Sequence, residues 1–174
     1  MRRPLRRETD NMTTSGSSMN RLTVTSSKSF EAVVEALEAA VGHPDIRALQ
    51  SELGAAQDFR EIEAAIQKAL GKSGFMEFAR YDLGAILRRE RGRTEPKIMR
   101  FVIGNPLVMK EMVKHVPDAG SYAPVTLLID ERPDGVHLSY DTMAGFLAAY
   151  GNAEALKVAR DLDGKIENLL RQIA

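Results

Sequence analysis

The sequence predicts an α+β fold: a small mixed or antiparallel sheet of about five strands with helices packed on it, plus an inserted helical segment. Three observations predict it. Short runs that alternate apolar and polar residues are interleaved with longer runs whose apolar residues recur at spacings of three and four. Two alternating runs, Val125 to Ile129 and Val136 to Tyr140, are joined through Arg132-Pro133-Asp134-Gly135, turn chemistry that makes an antiparallel hairpin and excludes an all-parallel sheet. The chain has 174 residues, 44% of them hydrophobic and 28% charged, which suits one domain with extras.

In chain order, residues 1–20 are basic and then rich in Thr, Ser and Gly, and read as a disordered tail. Residues 21–174 follow as a single domain. Leu22 and Val24 suggest a strand, and Ser29 caps a helix carrying Phe30, Val33, Val34, Leu37 and Val41 on one face. Residues 43–73 form the inserted piece: a helix around Ile46 to Leu53, then one capped by Asp58 with Phe59, Ile62, Ile66 and Leu70 on its stripe. Phe75 to Asp82 returns to a strand, with Phe75, Ala79 and Tyr81 on one side and Met76, Phe78 and Arg80 on the other. Leu83 to Arg91 is expected as a short helix with Ile86 and Leu87 turned inward.

The stretch from Lys97 to Asp141 anchors the fold. Met99, Phe101 and Ile103 alternate with Arg100 and Val102 in a strand that Gly104 ends. Asn105 then supplies a cap and Pro106 sits at the first helical position, where its missing N–H costs nothing. The helix carries Val108, Met109, Met112, Val113 and Val116 and must stop before Pro117. After the hairpin the chain is expected to be loose through Gly145 and Gly151, until Asn152 caps a last helix with Leu156, Ala159, Ile166, Leu169, Leu170 and Ile173 on its stripe.

Composition bounds function. Lys and Arg number 24, Asp and Glu 24, so no global basic field invites nucleic acid. With no Cys, thiolate nucleophiles and cysteine metal sites are ruled out. No apolar run approaches the roughly 18 residues of a membrane span. The expectations are a cytoplasmic protein without a membrane or nucleic-acid partner, metal or cofactor.

The order of these motifs resembles the DUF302 family: a strand and helix, a Gly-Phe strand running to an Asp (Gly74, Phe75, Asp82), a helix, a strand ending in Ile103-Gly104-Asn105-Pro106, a helix ending near Pro117, a strand preceded by Pro124, a hairpin and a C-terminal helix. The likeness covers Leu22 to Val41 and Gly74 to Ile173. It implies a mostly single-domain bacterial or archaeal protein with no assigned activity. Members often carry Cys before the Asn-Pro and after the strand Pro, where this chain has Gly104 and Val125, so thiol chemistry does not transfer.

The candidate ligand-binding residues are Asn105, Arg100, Gly104, Asp82 and His137; no residue is assigned a catalytic role. Gly104, Asn105 and Pro106 place free helix N–H groups where a small anion could sit, with Arg100 in the preceding strand. Asp82 offers a general base or a helix cap. His137, Ser139 and Asp141 share a strand face but are spaced too far apart for a triad, and His137 is expected to face solvent. Met109, Met112 and His115 drift around their helix and read as core rather than a copper site. Arg88, Arg89, Arg91, Arg93, Lys97 and Arg100 make a basic patch without interleaved aromatics. The leading expectation is a non-catalytic protein that binds a small anionic ligand or acts as an accessory. The alternatives are an enzyme using Asp82 or His137 as acid/base, and a homo-oligomeric module; a homodimer is expected because an open sheet face or edge invites pairing.

Overall fold

A computed structural model describes residues 19–174; the tail expected over residues 1–20 falls, up to residue 18, outside the described residues. The strands are β1 Arg21–Ser26, β2 Met76–Asp82, β3 Ile98–Gly104, β4 Val125–Arg132 and β5 Gly135–Asp141. The helices are α1 Phe30–Ala40, α2 Ile46–Ala55, α3 Phe59–Ala69, α4 Gly84–Arg91, α5 Pro106–Val113, α6 Met143–Leu147 and α7 Ala153–Ile173. Local chemistry sets the helix starts. The side chains of Ser29, Asp58, Asn105 and Asn152 accept N–H groups from Ala32, Glu61, Leu107 and Ala155, each offsetting a free donor at a cost to remove of about 1 kcal/mol.

Every strand pairing in the sheet is antiparallel, in the order β1-β5-β4-β3-β2. The register puts Leu22, Val24, Leu138, Tyr140, Leu127, Ile129, Phe101 and Ile103 on one face. These pack against Phe30, Val33 and Leu37 of α1, Met112 of α5 and the stripe of α7 in the main core. The α+β expectation holds, in its antiparallel form. The opposite face presents Thr25, Thr23, Arg21, Thr126, Arg100 and Tyr81, all exposed.

Four local readings are corrected by the structure. In β2 a bulge shifts the register between Glu77, opposite Ile103, and Ala79, opposite Val102. The extra residue, Phe78, breaks the period of two, so Glu77, Arg80 and Asp82 share the helix-covered face while Met76, Ala79 and Tyr81 share the other. Ile86 is not turned inward: it is 74% exposed, because α4 docks through the backbone of buried Gly84, where a Cβ would lie 2.4 Å from the Pro96 carbonyl oxygen. The segment after Asp141 is not loose, since Thr142 Oγ1 accepts the Gly145 N–H and starts α6. His137 does not face solvent but is only 8% exposed, its strand being flanked by β1 and β4.

The segment expected as an insertion folds into the α2–α3 pair, with its own apolar cluster of Leu49, Ala65, Ile66 and Met76, flanked by Phe78 and Leu107. It therefore covers the start of β2 and of α5. Its two ends meet. The N–H groups of Gly42 and Gly71 both donate to the Phe75 carbonyl at 2.9 Å. A Cβ on Gly42 would sit 2.0 Å from the Ala69 carbonyl oxygen, and one on Gly71 would sit 2.2 Å from the Val41 carbonyl carbon.

Candidate functional site

Asn105 follows β3 and precedes α5, and both ends of its side chain are occupied. Oδ1 accepts the Leu107 N–H at 2.9 Å and Nδ2 donates to the Gly74 carbonyl at 3.0 Å. The amide thus caps α5 and ties it to the turn before β2. Gly104, paired with Met76, packs near Pro124 and Phe78. Arg100 is elsewhere: four residues earlier on β3, its side chain belongs to the exposed sheet face, and it lines a different cleft from Asn105. The structure does not bring these two candidates together.

The cleft that holds Arg100 has a volume of about 450 Å³. Its floor is the transverse row Arg100-Leu128-Ser139 and the cross-strand pair Arg21-Asp141, both fixed by the pairing register, with Thr126 beside them. One end is walled by Tyr122 and Phe146, whose rings stack 4.7 Å apart and 5° from parallel. The two arginines differ in their surroundings. Arg21 donates to both carboxylate oxygens of Asp141 at 2.6 and 2.8 Å, and this pairing raises its pKa. Arg100 has no acidic partner among the described residues and lies 5.6 Å from the centre of the Tyr81 ring. Among the described residues, the cleft holds one neutralised pair and one free cation.

These observations can be set beside known proteins. The family model for DUF302, "Domain of unknown function DUF302", matches residues 50–173, well over half of the chain. The chain belongs to the DUF302 family. A crystal structure of an uncharacterized conserved DUF302 protein from Bacillus stearothermophilus is similar in fold, with a TM-score of 0.61 at 14% identity, covering 88% of this chain and 98% of that one. No curated protein is significantly similar. The DUF302 match begins inside α2, so it takes in all of the expected insertion but residues 43–49 and leaves out β1 and α1.

Within this DUF302 chain the remaining candidates stand apart. Asp82 accepts the Ala85 N–H at 2.9 Å and an Arg88 guanidinium N–H at 2.6 Å. The Arg88 hydrogen bond holds its carboxyl below the usual carboxylate range, which makes it a weak proton acceptor. His137 Nε2 lies 2.9 Å from Asp134 Oδ1, while its Nδ1 is buried and has no hydrogen-bond partner among the described residues. Ser139 Oγ is 3.4 Å from Thr23 Oγ1, and Asp141 is held by Arg21. The three side chains of that strand each turn to a different neighbour. Met112 is buried in the core while His115 is exposed. The basic patch is divided, Arg88 being paired with Asp82 and Lys97 with Glu31.

Sequence reasoning missed the cleft wall and one partly buried carboxylate. Tyr122 and Phe146 are 24 positions apart and meet only through the fold, so no local pattern reveals them. Asp163 accepts N–H groups from Met143 and Ala144 at the start of α6, a role that a polar residue three before Ile166 in an otherwise apolar α7 stripe could have signalled.

Proposed function

We propose that this protein is a non-catalytic binder of a small anionic ligand, held on the open face of the sheet by Arg100. The observation that carries the reading is the guanidinium of Arg100, unpaired among the described residues in a cleft whose other arginine is already neutralised. The cleft volume of about 450 Å³ lies within the range of small-ligand sites. Ser139 and Thr126 add hydroxyls to the floor, and the Tyr122–Phe146 wall gives an apolar contact for the rest of the ligand. The acid/base alternative is weaker at Asp82, which is engaged by Arg88. Asn105, with both polar ends occupied, acts here by fixing the corner.

Native and denaturing mass spectra of the purified protein test the reading. The expected result is a reproducible non-covalent mass that disappears in Arg100→Ala and persists in Asp82→Asn. Retention of that mass by Arg100→Ala would refute the reading, as would failure of native protein to show saturable binding to any of a panel of small carboxylates and phosphates.

A second reading, a homodimer, is supported by the exposure of Tyr81, Leu83 and Ile86, three large apolar residues at the junction of edge strand β2 and α4. A homo-oligomeric assembly would cover them.

A further inference from the structure

The β2 bulge and Gly104 border a second space in the molecule, which adjoins the Arg100 cleft only through Pro124 and Val125. It lies behind the Asn105-Pro106 corner and has a volume of about 120 Å³. Phe78, Val108, Met109, Met112, Pro124 and Leu162 line it, and it is partly open to solvent. Asn105 also borders it, with its side-chain amide engaged by Leu107 and Gly74, and the lining as a whole is predominantly apolar. Water held there needs polar partners, and this predominantly apolar lining supplies few.

The geometry points to a binding site for a compact, uncharged apolar group, at most one aromatic ring or a short alkyl chain. Three features converge on it. The first is size: an apolar cavity of about 150 Å³ stays dry and accepts benzene, and this one is slightly smaller. The second is construction. The register shift makes Phe78 the unpaired residue of β2, and Phe78 is a wall of the cavity; bulges recur beside functional sites because they re-aim one side chain. Gly104, opposite Met76 in the ladder, also lines the space, and a Cβ there would stand 3.0 Å from Pro124 Cβ and 3.4 Å from Phe78 Cε2, crowding two of the walls. A glycine within a strand marks a place where something approaches the backbone closely. The third is compliance. Met109 and Met112 lie on the α5 side, and unbranched thioether side chains reshape around apolar guests at little cost.

The test uses the full-length protein labelled with ¹³C at the methionine methyl groups, titrated with benzene and followed by NMR. The methyls of Met109 and Met112 are expected to shift saturably while those of Met99 and Met143, which lie away from the cavity, stay in place. Val108→Phe fills the space and is expected to abolish the response; should that variant fail to fold, Ala123→Leu fills it from the opposite wall with the same expected loss. Arg100→Ala is expected to leave benzene binding unchanged, so this site and the anion cleft stand or fall separately. The inference is overturned by the absence of a saturable shift up to the solubility limit of benzene, by saturation reported only at other methionines, or by an unaltered response in the filled variants.

Discussion

The phenol of Tyr140, near the end of β5, donates a 2.6 Å hydrogen bond to Asp163 Oδ1 on α7. The same carboxylate accepts the N–H groups of Met143 at 2.8 Å and Ala144 at 3.0 Å. One side chain therefore joins the sheet, the start of α6 and the long C-terminal helix. Burial, helped by the nearby negative charge of Asp163, pushes the Tyr140 phenol well above its ordinary range. Asp163→Ala is expected to destabilise the protein by roughly 2–4 kcal/mol in urea unfolding, because it strands a buried hydroxyl and removes a helix cap. Asp163→Asn, which keeps one acceptor, should recover part of that loss. A change below about 0.5 kcal/mol in the alanine variant would show that the network carries no weight.

The ion pair of Asp82 and Arg88 makes a pH prediction. Asp82 titrates below its ordinary 3.8 in the folded protein, so its contribution is present above that value and is lost as pH falls through the lower, folded one. Both side chains are partly exposed, which keeps the contribution small, on the order of a few tenths of a kcal/mol. NMR titration of the Asp82 carboxyl should show the depressed value in the native protein and a return towards the ordinary one in Arg88→Ala. An identical midpoint in both would mean that the contact does not form in solution.

At Gly71 the expected cost comes from backbone that has no room to move. Gly71→Ala would place a Cβ 2.2 Å from the Val41 carbonyl carbon and 2.4 Å from the Gly42 nitrogen. A loss of roughly 1–3 kcal/mol is expected by thermal or urea unfolding. Gly54→Ala in α2, where a Cβ meets nothing within 4 Å, is the control and should be neutral or slightly stabilising. Equal effects at the two positions would contradict the close approach.

The dimer reading is tested at Ile86. Light scattering at micromolar concentration should return twice the subunit mass, and Ile86→Ser combined with Tyr81→Ser should return the subunit mass with the fold intact by circular dichroism. A monomeric native protein would remove this reading.

Much of the fold was legible because it rests on local chemistry. Asn105 caps α5 through a group two residues away, and the Arg132 to Gly135 turn closes a hairpin between two strands whose core-facing residues recur every second position. Where the reading went astray, the deciding contact was distant. Ile86 sits on a helix too short for its apolar spacing to outweigh the docking of Gly84 against Pro96. The faces of β2 were inverted around one extra residue, which no period of two can anticipate. The candidate site was less legible still. Arg100 and Asn105 are close in sequence, yet an extended strand carries them into different clefts, while Arg21, Tyr122 and Phe146 reach Arg100 only through sheet pairing and chain return.

The meeting of Gly42 and Gly71 at the Phe75 carbonyl makes α2–α3 an appendage on a single stalk. The chain leaves the α+β scaffold and rejoins it at one place, so the length of the excursion is decoupled from the rest of the path: helices there can lengthen, shrink or be exchanged without re-threading any strand. What such a change would alter is the cover over Met76, Phe78 and Leu107, and Phe78 is also a wall of the apolar cavity. The most replaceable part of the molecule is thus the part that shields one side of its apolar pocket.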